Sequence, residues 1–150
     1  MKTVIGRYDK ADFPELMLEN LSVKTDTGAY TSSIHCHDIQ EIEAEGEAYI
    51  EFYLLDPSHP KYVHKKFKTK QYERKVIKSS FGESEERYII STIIIMFGQE
   101  HPVELSLSER SNMKYPVLLG RKFLNKKFVV DTSVKNVSFR QKQQTAKKKE

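Results

Sequence analysis

Cysteine is almost absent from the 150 residues: Cys36 stands alone, so no intrachain disulfide can form and a disulfide-stapled scaffold is excluded. No apolar run approaches the length of a membrane span, and Met1-Lys2-Thr3-Val4-Ile5-Gly6-Arg7 breaks off before the apolar stretch of about 7–15 residues that a secretory signal needs. The chain is read as cytoplasmic, with no membrane partner. Glycine is scarce, at six residues, and neither Gly-x-x-x-x-Gly-Lys-[Ser/Thr] nor Gly-x-Gly-x-x-Gly occurs, so no phosphate-cradling loop for ATP is present. Paired metal-ligand spacings are missing as well: there is no His-Glu-x-x-His and no Cys-x-x-Cys. His35-Cys36-His37 is the nearest approach, but on a strand His35 and His37 share one face while Cys36 points to the other. His59, His64 and His101 lie beside Pro or Lys in expected surface loops. No metal and no cofactor are expected.

What is present is a core. Hydrophobic residues make up 38% of the chain, with eight Tyr and eight Phe, too many for a disordered segment. The formal charge of +4 sits at one end, where Arg140, Lys142, Lys147, Lys148 and Lys149 face only Glu150, so residues 1–139 are neutral overall. The organisation expected is one domain over 1–139 and a basic, flexible tail over 140–150. A second basic stretch, from Lys61 to Lys75 with Tyr62, Phe67 and Tyr72 interleaved, reads as the polar face of an exposed hairpin, and nucleic acid is not expected as a partner.

Apolar periodicity is mostly that of strands. Ala48, Ile50, Phe52 and Leu54 alternate with more polar residues, as do Val103, Leu105 and Leu107, and Tyr88–Phe97 is a nearly unbroken β-branched run ending at Gly98. Phe128–Asp131 and Asn136–Phe139 flank a polar turn and predict a closing hairpin. Turn clusters are expected at Asp56–Pro60 and Ser79–Ser84, and a single short helix over Arg121–Asn125. The class is all-β.

Leu21–Ala29 is a strand running into a tight turn with an acid, Asp26, at its tip and Gly28 at the bend. Alone this is a weak signal. About ninety residues on stands Tyr115-Pro116-Val117-Leu118-Leu119-Gly120-Arg121. Asp26-Thr27-Gly28-Ala29 followed by an apolar-apolar-Gly-Arg segment and a short Leu-bearing helix resembles the retropepsin-like aspartic proteases. Within them the chain is most similar to a bacterial family of retropepsin-like endopeptidases once labelled ATP-dependent zinc proteases. Ser32-Ser33, Arg74–Ile77 with Arg87–Ile90, Glu104–Arg110 and Phe128–Asp131 carry the likeness along almost the whole chain.

The resemblance implies a closed acid-protease barrel with one short helix near its C-terminal part and Asp26 as catalytic carboxylate. It implies that the Thr27 hydroxyl locks two turns together across a dimer axis and that Gly28 offers its carbonyl to bound peptide. Ala29, Leu118, Leu119, Gly120 and Arg121 would support the turn. Peptide hydrolysis by carboxylates needs a base and an acid, which two aspartates supply by sharing one proton. One Asp-Thr-Gly per chain therefore implies a homodimer. Asp131-Thr132-Ser133 lacks the Gly and any following partner segment, and is rejected as a second copy. Tyr30 stands where many such proteases carry an acid that pairs with the Gly-Arg arginine, leaving Arg121 without an obvious partner. The expected function is an aspartic peptidase acting on an extended peptide or protein tail, with a cover between Asp56 and Lys75. The alternative is a catalytically weak peptide-binding regulator of an ATP-grasp amino-acid ligase, since the family resembles accessory partners of such ligases.

Overall fold

The computed structural model describes residues 1–78, 82–109 and 114–148. Ser79, Ser80 and Phe81 of the expected turn, Arg110, Met113, and Lys149 and Glu150 of the tail lie outside the described residues. In chain order the elements are β1 (Thr3–Ile5), β2 (Tyr8–Phe13), β3 (Leu18–Thr25), β4 (Ser32–Ala44), β5 (Glu47–Leu54), β6 (Lys66–Thr69), β7 (Glu73–Lys78), β8 (Ser84–Met96), β9 (Gln99–Ser108), β10 (Val117–Leu119), α1 (Arg121–Leu124), β11 (Phe128–Val130) and α2 (Val137–Lys148). A single 3-10 turn, Pro14–Leu16, links β2 to β3.

Six strands close a ring in the order β10, β3, β2, β8, β9, β4, and β4 returns to β10. Closure follows from β10, which lies parallel to β3 and antiparallel to β4, and so fills the gap that the turn after β3 would leave between them. The period-two alternation puts Ile50, Phe52 and Leu54 inside, along with Phe13, Leu21, Ile34, Ile94 and Leu105. Each such side chain contributes roughly 1.5–3 kcal/mol by leaving water. Two hairpins project beyond the ring. β4 pairs with β9 only over Ser32–His35 while its far part runs on against β5, and β8 pairs with β9 only from Ile89 onward, leaving Ser84–Tyr88 bonded to β7 alone. Glu41 ties the two arms, accepting a bond from Tyr72 Oη at 2.7 Å and lying 3.6 Å from Arg74 Nη1.

The structure corrects the reading of the C-terminal part. Phe128–Val130 is a strand, but it pairs in parallel with β1, and the residues expected as its hairpin partner begin α2 instead. Residues 140–148, read as tail from their charge, continue this helix. The cause is a carboxylate remote in sequence. Asp9, buried at 1% exposure, accepts bonds from Ser138 N at 2.9 Å and Phe139 N at 3.0 Å, satisfying two of the amides that a helix start leaves open. Further along, Lys142 Nζ reaches Asp12 Oδ2 and Asn20 Oδ1, each at 2.8 Å. Asp9→Ala should therefore cost about 1–2 kcal/mol, the usual loss for a removed helix cap, and lower the far-UV helical signal. An unchanged melting temperature and spectrum would contradict this role.

Candidate functional site

Asp26 follows directly on β3, and the strand that wedges in beside it, β10, holds its backbone: Asp26 N donates to Leu119 O at 2.9 Å. Below it, Thr25 Oγ1 donates to Gly6 O at 3.1 Å and Arg7 O at 3.0 Å, tying the end of β3 to the β1–β2 connection. Within the turn, Gly28 N donates to Asp26 Oδ1 at 3.1 Å and Ala29 N to Asp26 O at 3.2 Å. The carboxylate is half-buried, whereas Thr27 and Gly28 at the tip are exposed. The same local turn recurs at Asp131, where Ser133 N donates to Asp131 Oδ1 at 2.9 Å, and β1 clamps it much as β10 clamps Asp26, with Asp131 N donating to Ile5 O and Arg7 N to Val134 O, each at 2.9 Å. What distinguishes Asp26 is that it is half-buried where Asp131 is exposed, and that Ser32 and Arg121 add side-chain bonds to its clamp.

That clamp is built from the second motif. Gly120 N donates to the buried Ser32 Oγ at 3.0 Å, Arg121 N to Ala29 O at 2.8 Å and Lys122 N to Tyr30 O at 2.9 Å. Leu119 is fully buried and Leu118, paired with Lys24 and Ser33, is half-buried. Arg121, for which the sequence offered no partner, has two: its Nη1 donates to Thr27 O at 2.9 Å, and its guanidinium lies 5.8 Å from the centroid of the Tyr30 ring. The aromatic side chain thus stands in for the absent acid. Ser32 and Thr25 were legible only as members of matching stretches; their hydroxyl partners lie on segments far along the chain. Arg121→Ala should leave the fold intact and loosen the turn, read as faster amide exchange at Thr27–Ala29. Exchange equal to that of the unsubstituted protein would show that the guanidinium does not hold it.

Beside the turn, a cavity of about 200 Å³ is lined by Ser32, Ser91, Val103, Glu104, Lys122 and Phe123. It adjoins a second of about 310 Å³ that shares Ser91 and Glu104 and reaches Tyr72 and Glu73 at the base of the β7–β8 arm. Glu104 and Lys122 form a hydrogen-bonded ion pair across this trough; the bond holds the Glu104 carboxyl below its usual range and the Lys122 ammonium above its own.

The histidines take other places. Cys36 lies in the core with its S–H toward Ser108 O at 3.7 Å, and burial pushes its thiol well up, which leaves it a poor nucleophile. His35 is buried 3.9 Å from Asp56 Oδ2, and burial lowers its pKa. His37 and His64 both stack on Tyr53, with ring centroids 5.2 and 4.8 Å away, and both bond the Tyr62 hydroxyl, at 3.1 and 3.0 Å. His64 lies exposed on a loop, as expected, whereas His101 is half-buried on β9 and packs edge-on against Phe123 and Phe128 where a surface loop was expected. Among the described residues no group of three or more His, Cys, Asp or Glu is placed to hold a metal ion, and no helix is long and apolar enough to cross a membrane.

A closed strand ring with an Asp-Thr-Gly turn wedged by an apolar-apolar-Gly strand defines the class of acid-protease-like β proteins. The chain belongs to the RimB-like family, described as retropepsin-like aspartic endopeptidase RimB, whose model matches residues 4–141. Among curated proteins it is similar to a "Probable alpha-L-glutamate ligase" of Shewanella pealeana, 38% identical over 132 residues, which are 88% of this chain and 29% of that protein. A protein of the same name from Desulfotalea psychrophila is 31% identical over 137 residues, 89% of this chain and 29% of the relative. The chain thus spans less than a third of the length of these relatives. Among solved structures, a Legionella pneumophila protein of unknown function shares the fold, with a TM-score of 0.67 and 24% identity over 92% of this chain and 99% of that one.

Proposed function

We propose that the chain is one subunit of an aspartic peptidase in which Asp26 from two copies forms the catalytic pair. The observation that carries this reading is the clamped turn: Asp26 is presented half-exposed at a tip whose backbone is bonded to β10 and α1, an arrangement that places one carboxylate rigidly at the surface. A base must be held close to its geometry of action, and rigid placement supplies that. Family membership supports the same chemistry. In this reading one carboxyl activates water while its partner protonates the leaving amine, the Thr27 hydroxyls bond across the two-fold axis, and the trough beside the turn takes an extended peptide. The cover is the β7–β8 arm. Loop 56–65, the first part of the segment expected from sequence, is tied to β4 and β5 through His37, Tyr53, Tyr62 and His64 and lies away from the trough's lining, whereas the β7–β8 arm, joined to β4 through Glu41, projects from the ring with its base, Tyr72 and Glu73, in the trough's lining.

A second reading has one observation in its favour: relatives carrying this region in a longer chain are named glutamate ligases. On that reading the domain binds a ligase, or the glutamate-bearing tail a ligase makes, without cutting it. The test is a mixed peptide library incubated at pH 4 to 7 with and without a chelator and analysed by mass spectrometry. Cuts that persist with chelator support the peptidase; a folded dimer that makes none supports the binding module; cuts lost with chelator alone would oppose both.

A further inference from the structure

The outer face of β2, β3 and β10 carries a feature that the peptidase reading does not use. Tyr8 on β2 and Tyr115, just before β10, lie with ring centroids 5.6 Å apart and planes inclined at 32°. Cations flank both rings. The Arg7 guanidinium and Lys135 Nζ lie 5.5 and 5.9 Å from the Tyr8 centroid, while Lys24 and Lys114 each place Nζ 5.8 Å from that of Tyr115. Two residues along β2 the pattern repeats, with Lys10 Nζ 4.6 Å from the Phe139 ring centroid. Ion pairs elsewhere, such as Lys142–Asp12, match cation to carboxylate. Among the described residues, none of these five cations has a carboxylate within the 4.0 Å of a salt bridge. The field shows in the Tyr8 hydroxyl, which Lys135, through a hydrogen bond, and Arg7 hold below its usual pKa.

We infer that this face binds single-stranded nucleic acid. Alternating rings and unpaired cations are what an unstacked strand needs, since every base has a π-face to stack and every phosphate a charge to pair. An extended peptide fits less well. β3 and β10 have a bonded strand on both sides, and β2 has β3 on one side and, on the other, β8 at Asp12 and the start of α2, where Asn136 N donates to Tyr8 O, so little backbone edge is open for strand addition and mainly side-chain faces are offered. A duplex fits less well again, because the face offers rings to stack on and a paired base shows no face to Tyr. The inference is independent of whether Asp26 cuts peptides.

The test is fluorescence anisotropy of the full chain with a labelled twelve-residue oligouridylate, with a glutamate-rich peptide of equal length as competitor. Binding is expected to weaken with salt at a logarithmic slope of about −3, from roughly four or five phosphate contacts at about −0.7 each. Lys24→Gln with Lys114→Gln, both at exposed positions, should flatten that slope by about 1.4. Tyr115→Ala should cost about tenfold in affinity with the slope kept, the size of one lost base stack. Lys61→Gln with Lys65→Gln, on the remote loop, should change neither. No binding at low salt, equal losses from the remote pair, or displacement of the oligonucleotide by the glutamate-rich peptide at lower concentration would each overturn the proposal.

Discussion

Asp26→Asn is expected to remove peptide cleavage while the protein keeps its fold. The amide is nearly the shape of the carboxyl, and its oxygen can still accept the Gly28 N–H that Asp26 Oδ1 accepts at 3.1 Å, so the turn has no cause to move. What is lost is a group able to take a proton from water, and removing a general base costs about 10²–10⁴ in rate. Mixing subunits sharpens the result. If each site needs one carboxyl from each of two copies, an equal mixture of wild type and Asp26→Asn that has exchanged freely retains about one quarter of the activity, because only the homodimer of wild type is competent. Retention of about half would mean that each chain acts alone. Full activity of Asp26→Asn would remove Asp26 from the chemistry altogether.

Of the two glycines in the paired motifs, Gly120 is expected to tolerate a methyl group far less well than Gly28, and the reason is space. The backbone at Gly120 is ordinary extended chain, with φ −89° and ψ 177°, which alanine adopts freely. An added Cβ would sit 2.6 Å from Tyr30 O, 2.8 Å from Tyr30 C and 2.9 Å from Thr31 C, all backbone atoms of the segment that carries the turn. Either β10 backs away or the turn does. Overpacking of this kind costs about 1–3 kcal/mol, and a displacement near 1 Å at a reacting group costs about 100-fold in rate. Thermal melting and cleavage rate should therefore fall together. Gly28→Ala is the internal comparison for stability: its Cβ would meet only Asp26 Oδ1, at 3.3 Å, so a small shift of that side chain suffices and the melting temperature should hold. Equal losses of melting temperature at the two glycines would show that the close approach of β10 to the turn is not what fixes the site.

That contrast also marks where sequence reading stops. Gly28 is visible as a turn glycine because its signal is local, whereas the constraint on Gly120 comes from Tyr30 and Thr31, ninety residues earlier, and leaves no trace in its neighbours. Arg121 illustrates the same limit. With no acid at position 30 it looks unpartnered, yet a backbone carbonyl and an aromatic face serve it, and neither is conspicuous by residue type. At the C-terminal end the distance between local pattern and structure is larger. Asn136–Phe139 alternates as a strand does, and the basic residues after it read as tail, but Asp9 lies folded against Ser138 and Phe139 and starts a helix there.

By itself the sequence determined the all-β class, the inward set of residues on the long strands, the short helix after Gly120, and the pairing of an Asp-Thr-Gly turn with an apolar-apolar-Gly segment. These are legible because strand alternation and turn chemistry act between near neighbours, and because the two motifs are short and ordered. Tertiary structure alone decided that β10 would enter between β3 and β4 to close the ring, that Tyr30 would take the guanidinium of Arg121, and that a buried carboxylate would turn the last residues into a helix. Each of these depends on partners that only folding brings into contact.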